Sequence, residues 1–101
     1  MNSVQLGEVI AERELEFIGS DGSRQSVRVL LGKPIQEENG PWFCAFLIHG
    51  DSFQRQLRVA GEDSMQSILL ARKMIPVELE ALARDKKGSF TWFGSADLGF
   101  A

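Results

Sequence analysis

GEDSMQSILLARKMIPVELEALARDKK, residues 61–87, is the one long segment of the chain whose apolar residues recur at helical spacing. Asp63, followed three residues later by Gln66, forms a variant of the capping box, so the helix is expected to begin at Ser64. Basic residues and then a glycine end it at residues 86–88. The apolar stripe expected to lie on a sheet is Met65, Ile68, Leu69, Ile75, Leu79 and Leu82, with Arg72 inside it laying its stem on the core.

Pro76 interrupts this segment. Its ring lacks an N–H donor and crowds the carbonyl of Arg72, which predicts a kink. A proline is also favoured at the first position of a helix, so a second helix beginning at Pro76 is the alternative prediction.

A second apolar stripe follows the opposite side of the same helix through Leu70, Met74, Val77 and Ala81. One explanation is that the C-terminal segment folds over it, or that the bend at Pro76 turns Val77 and Ala81 inward. The other is that Leu70, Met74 and Val77 form an interface with a second subunit or another protein partner. The sequence leaves both open.

Two β-hairpins precede the helix. Residues 9–18 and 25–31 alternate apolar and polar side chains around a turn at residues 19–23, which places Leu15 opposite Val27 and Glu14 opposite Arg28 as an ion pair. Arg13 is the exception on the inner face. Residues 42–49 are apolar on both faces and predict a central strand, which residues 53–60 follow after a turn.

The rest of the chain completes the predicted fold. Residues 32–41 form a long polar loop, and residues 89–93 return as a last strand. A terminal segment containing Leu98 and Phe100 then docks on the body or on a partner. We therefore predict a single α+β domain over residues 1–101, with a loose lead-in at residues 1–7. It consists of an antiparallel β-meander of four strands, one long kinked helix packed on the sheet and a final C-terminal strand.

Composition excludes several classes of function. A net charge of −3 and a pI near 5.1 argue against a domain held mainly by nucleic-acid phosphates. The single cysteine excludes an internal disulfide, and the first residues lack the pattern of a secretory signal. No apolar run is long enough for a transmembrane helix. We expect a protein of the cytoplasm without a membrane partner.

Catalytic and cofactor patterns are absent from the sequence. One histidine and one cysteine make a metal site unsupported, and Cys44 and His49 are predicted on opposite faces of one strand. Cys44 is expected to be a small buried residue and His49 a turn residue. No glycine-rich phosphate-binding motif occurs, so we expect no cofactor and no catalytic residue.

A small basic and aromatic patch is a candidate binding surface in the strands before the helix. Phe43 is predicted to lie opposite Arg58 as a cation–π pair, and Arg55 is near them in sequence. Such residues suit single-stranded nucleic acid, although cross-strand packing explains them equally well in an acidic chain.

The segments AERELEFIGSDGSRQSVRVLLGKP, GEDSMQSILLA and FTWFGSADLGF together resemble a family of small uncharacterised bacterial proteins, a domain of unknown function. The resemblance implies a compact α+β domain and no activity. The layout of a short antiparallel sheet leading into a helix after Gly61-Glu62-Asp63 is also similar to antitoxins of the HicB type, from which the additional leading strands and Pro76 depart.

These observations favour a non-enzymatic interaction or regulatory module, with a homodimer or another protein as partner. The alternative is a small-molecule binding protein or minor enzyme with its pocket between the helix and the loop at residues 32–41. A third hypothesis is an antitoxin-like or nucleic-acid-binding module that uses Arg55 and Arg58.

Overall fold

The computed structural model describes residues 6–100 of the chain. One helix packs on one face of an antiparallel sheet, and a strand follows the helix. The chain is therefore an α+β protein, as predicted. The elements in order are β1 Val9–Gly19, β2 Arg24–Gly32, β3 Ile35–Gln36, β4 Trp42–His49, β5 Gln54–Gly61, α1 Ser64–Asp85 and β6 Gly88–Thr91.

Within residues 6–100 the sheet has six strands, all joined by antiparallel pairing. From one edge to the other, β6 pairs with β1, β1 with β2, β2 with β4, and β4 with β5. The additional strand β3 lies on the same side of β4 as β2. It pairs with the first residues of β4, whereas β2 pairs with the later ones. The sheet is thus five strands wide, because β2 and β3 share one position.

The strand β3 corrects the prediction that residues 32–41 form only a loop. Ile35 and Gln36 pair with Phe43 and Trp42, and Pro34 separates them from β2. A proline has no backbone donor, so it interrupts the ladder without ending the strand direction. The remaining polar residues form the turn before β4, where the amide of Gly40 donates to the carbonyl of Glu37.

The first hairpin has the predicted register. Leu15 lies opposite Val27, and Glu14 lies opposite Arg28. The predicted ion pair between Glu14 and Arg28 is wrong, because Arg28 reaches diagonally to Glu12 with bonds of 2.9 and 3.2 Å. Glu14 instead accepts a hydrogen bond from Ser26. The bond from Arg28 lowers the pKa of Glu12 below its ordinary value.

The core lies between the inner face of the sheet and α1. Opposed positions on β1, β2 and β4 supply it, and Val27, Phe46 and Ile48 are fully buried. Three rings extend the core beyond the helix: Phe17 lies 4.9 Å from Phe90 and 5.3 Å from Phe53, centroid to centroid. This aromatic cluster ties the second hairpin to the last strand.

Helix α1 begins where the capping residues place it. The carboxylate of Asp63 accepts from the amide of Gln66 at 2.8 Å, and the side chain of Gln66 reaches back to the amide of Glu62. The helix runs through Pro76 to Asp85 without a break, so the prediction of a second helix starting at Pro76 is wrong. Tertiary packing of the flanking turns keeps the segment helical despite the missing donor.

The buried face of α1 differs from the predicted stripe at its first turns. Met65 is 79% exposed and Leu69 is 42% exposed, so neither belongs to the core. Small residues occupy the buried positions in these turns, because the end of β5 lies against the helix. A Cβ on Gly61 would meet the backbone of Ser67. The buried residues of the helix are Ser67, Ala71, Ile75, Leu79 and Leu82.

We predict that Leu79→Ala lowers the free energy of unfolding by about 2–5 kcal/mol, because it leaves a cavity in a fully packed core. Leu69→Ala makes the same chemical change on the same helix at an exposed position, and we expect it to cost below about 1 kcal/mol. Urea denaturation followed by circular dichroism measures both. Equal losses for the two variants would contradict the burial of Leu79 and the exposure of Leu69.

Candidate functional site

Strand β5 forms an uncovered edge of the sheet. It pairs with β4 over all eight residues without a bulge, and it has no partner on its other side within residues 6–100. The amide of Gly50 bonds to the carbonyl of Phe53, and hydrogen-bonded pairs alternate from there along the ladder. The residues of β5 whose N–H and C=O groups consequently point away from β4 are Gln54, Gln56, Arg58 and Ala60.

This edge lacks the devices that usually protect a free strand. It has no proline, lysine or bulge, and both of its arginines are already neutralised. Arg55 bonds to Glu78 of α1 at 2.6 Å, and Arg58 bonds to Glu37 at 3.3 Å. The outward backbone groups of β5 are therefore open to another strand.

The opposite edge of the sheet is much less suited to pairing. Strand β6 has only four residues, and the chain turns away immediately after it through a bridge between Trp92 and Ser95. Phe93 within that turn adopts a positive φ of 49°, which an extended strand cannot continue. A partner strand would have little straight backbone to follow on this side.

The second stripe of α1 faces the open edge. At about 100° per residue, Met74 borders the buried face on one side, and Leu70 and Val77 continue from it toward the outer side of the helix. Glu78 lies between this side and the core, and its bond to Arg55 directs that side toward β5. Pro76 and Ala83, on the other side of the helix, line a groove shared with β6 and the terminal segment.

The predicted interface residues differ in exposure. Val77 is 56% exposed, whereas Leu70 is half-buried. Met74 is also half-buried and packs against the core, so its side chain already has intramolecular contacts. Val77 and Leu70 are thus the apolar side chains that lie nearest to solvent on the helix side beside β5.

The predicted basic and aromatic patch is split between the two faces of the sheet. The guanidinium of Arg58 lies 3.9 Å from the ring centre of Phe43, so the cation–π contact forms. Its register differs from the prediction, because Arg58 lies opposite Ala45 and reaches Phe43 diagonally. Arg55 points to the other face, where it meets the helix, so the structure does not bring all three residues together.

Arg13 holds the terminal segment on the inner face of the sheet. Its Nη1 donates to the carbonyls of Leu98 at 3.0 Å and Gly99 at 2.9 Å. The guanidinium also lies 4.0 Å from the Trp92 ring centre and 4.8 Å from that of Phe100. Of the two predicted docking places for this segment, the structure shows the body of the chain.

Gly99 completes this attachment. Its φ is +75°, and a Cβ would meet the ring of Trp92. Sequence reasoning identified Arg13 only as an exception on the inner face, because its partners lie 85 and 86 positions away in the chain.

The reactive side chains show no catalytic arrangement within the described chain. Cys44 is fully buried, and burial raises the pKa of its thiol. His49 is exposed and its Nδ1 contacts the side-chain oxygen of Gln54 at 3.1 Å. Between residues 6 and 100, no three His, Cys, Asp or Glu side chains are grouped closely enough to hold a metal ion. The same part of the chain contains no helix that is long and apolar enough to cross a membrane.

Residues 11–101 match the model of a family described as a domain of unknown function, DUF6968. No curated protein matches the chain. No solved structure matches it either.

We predict that Arg13→Gln loosens the terminal segment, because it removes the charge that stacks on two rings and bonds two carbonyls. Digestion with a carboxypeptidase should release Phe100 and Leu98 several times faster than from the original chain. Arg24→Gln is the matched control, since Arg24 forms only an exposed pair with Glu16. If the two variants are digested at the same rate, Arg13 does not hold the segment.

The thiol of Cys44 should not react while the chain is folded. Because burial raises its pKa, little thiolate forms near neutral pH, and the sulfur is also inaccessible. We expect iodoacetamide at pH 7.5 to label the native chain at a rate at least about a hundred times slower than the urea-unfolded chain. Mass spectrometry measures the labelled fraction, and comparable rates in both states would contradict the assigned burial.

Proposed function

We propose that the chain, which belongs to the DUF6968 family, is a non-enzymatic protein-interaction module that pairs with a second copy of itself. This proposal is supported by two neighbouring surfaces that have no partner within residues 6–100. These are the outward backbone groups of β5 and the apolar helix side that contains Leu70 and Val77. We expect it to act in the cytoplasm, as its single unpaired cysteine indicates.

The backbone of β5 is complementary to itself. A two-fold axis at Leu57 pairs Gln56 with Arg58 of the second copy, and Gln54 with Ala60 of the second copy. All four residues whose N–H and C=O groups point outward are then hydrogen-bonded in an antiparallel ladder. Directly opposed residues carry no like charges in this register.

The helices fit the same axis. Helix α1 packs on β4 and β5, and strands in a sheet are about 4.8 Å apart. If the axis of α1 lies midway between these two strands, it is about 10 Å from the helix axis of the second copy. This is the usual distance between the axes of packed helices. The facing sides contain Leu70 and Val77, so one two-fold axis covers both surfaces.

Two substitutions test this proposal. Gln56→Pro removes an outward N–H without removing a bond to β4, so the ladder within one chain remains intact. Val77→Glu places a charge on the helix side. Light scattering should give twice the chain mass of 11.2 kDa for the original protein and the single mass for each variant.

Met65→Glu and Gln56→Ala are the controls. Met65 is 79% exposed and lies about 120° around α1 from Val77, on the side away from β5, and alanine at position 56 retains the backbone donor. Both controls should keep the double mass. A single mass for the original protein across the micromolar range, or a double mass for both test variants, would overturn the proposal.

A further inference from the structure

A cleft opens between α1 and the β1–β2 half of the sheet, on the side of the helix away from β5. It has a volume of about 260 Å³, slightly below the range of about 300–1,000 Å³ that is usual for ligand sites. Aliphatic side chains form its floor, and the terminal segment forms one wall. The apolar residues that line it are Ala11, Val29, Leu31, Ile68, Ile75 and Phe100.

The charges in this cleft are unusual for the molecule. Five of the seven arginines have a carboxylate partner within 4 Å. Arg13 and Arg72 have none among residues 6–100, and both line this cleft. Among residues 6–100 of this acidic chain, the two arginines without a carboxylate partner therefore both lie beside one apolar cavity.

Arg13 keeps donors available despite its attachment to the terminal segment. Both of its bonds to that segment use Nη1, and a guanidinium has further N–H groups on Nε and Nη2. Nε and Nη2 form no hydrogen bond within residues 6–100, and no buried side-chain nitrogen there lacks a partner, so both groups are accessible to solvent. The rings of Trp92 and Phe100 fix the orientation of the guanidinium plane.

Among the described residues, Glu12 is the acidic residue that lines the cleft, and its carboxylate already has a partner. The carboxylate of Glu12 accepts two hydrogen bonds from Arg28 on the outer face of the sheet. It does not neutralise Arg72, whose guanidinium forms no ion pair within the described residues. The cleft thus combines an apolar floor with positive charge at its rim that no carboxylate of residues 6–100 pairs with.

We propose that this cleft binds a small carboxylate with an apolar body. The carboxylate bonds to Arg72 and to the accessible donors of Arg13, because guanidinium groups pair with carboxylates through parallel hydrogen bonds. The body of the ligand packs on Val29, Ile68 and Ile75. The small volume restricts the body to about one aromatic ring or a short aliphatic chain.

This proposal is independent of the self-association proposed above. The cleft and the β5 edge lie on opposite sides of α1, so substitutions at Arg72 leave the edge unchanged. The two proposals can therefore fail separately.

The experiment is a titration of the isotope-labelled full chain with 4-phenylbutyrate, followed by nuclear magnetic resonance. Chemical-shift changes are expected at the methyl groups of Val29, Leu31, Ile68 and Ile75 and at Nε–H of Arg72. The alcohol 4-phenylbutan-1-ol has the same apolar body without the charge. We expect the acid to bind at least about tenfold more tightly than the alcohol, because it gains charge-assisted bonds.

Arg72→Gln should weaken binding of the acid by about tenfold while leaving the alcohol unaffected. Arg84→Gln is the matched control, since Arg84 is an exposed arginine on the same helix that pairs with Glu80, and it should bind as the original chain does. Equal binding of acid and alcohol, equal effects of the two substitutions, or shifts located outside the cleft would overturn the proposal. The absence of shifts with 4-phenylbutyrate and with octanoate at millimolar concentrations would also overturn it.

Discussion

The structure depends on one geometric constraint, which is that a single helix must cover a sheet twice its width. Five strand positions span about 20–25 Å, whereas a helix with its side chains is about 10–12 Å wide. Helix α1 lies over β4 and β5, where it buries Ile75, Leu79 and Leu82. The inner face of β1 and β6 must be covered by something else, because its apolar side chains would otherwise meet water.

The aromatic cluster and the terminal segment provide that cover. Phe53, from the turn before β5, packs on Phe17 of β1 and Phe90 of β6, and the segment with Leu98 and Phe100 lies beside them. A short irregular segment has few backbone bonds of its own, so a specific contact is needed to fix it. Arg13 supplies this contact from the sheet itself. The cleft beside Arg72 is the space that remains between the two parts of the cover.

Local signals in the sequence were sufficient for much of this fold. The turn at residues 19–23 and the alternation around it determine the pairing of Leu15 with Val27, since turn geometry and the apolar pattern together set the register of a hairpin. The side chains of Asp63 and Gln66 likewise determine where α1 begins. Cys44 is buried because it belongs to a central strand that is covered on its inner face.

Contacts between segments that are far apart in the chain could not be predicted from such local signals. Met65 and Leu69 are as hydrophobic as core residues. However, Gly61 approaches Ser67 so closely that small side chains occupy the buried face in the first turns of α1. The role of Arg13 depends on carbonyls 85 and 86 positions away, and no local pattern indicates such partners. The bond between Arg55 and Glu78, another contact between distant segments, shows which side of α1 faces β5.

The proposed assembly is tested most directly by the concentration dependence of hydrogen–deuterium exchange in β5. The amides of Arg55, Leu57 and Val59 bond to β4 and should be protected at every concentration. The amides of Gln54, Gln56, Arg58 and Ala60 point outward, so they should exchange rapidly in dilute solution and become protected as the concentration rises. Rapid exchange of these four amides at all concentrations would contradict pairing through the β5 edge.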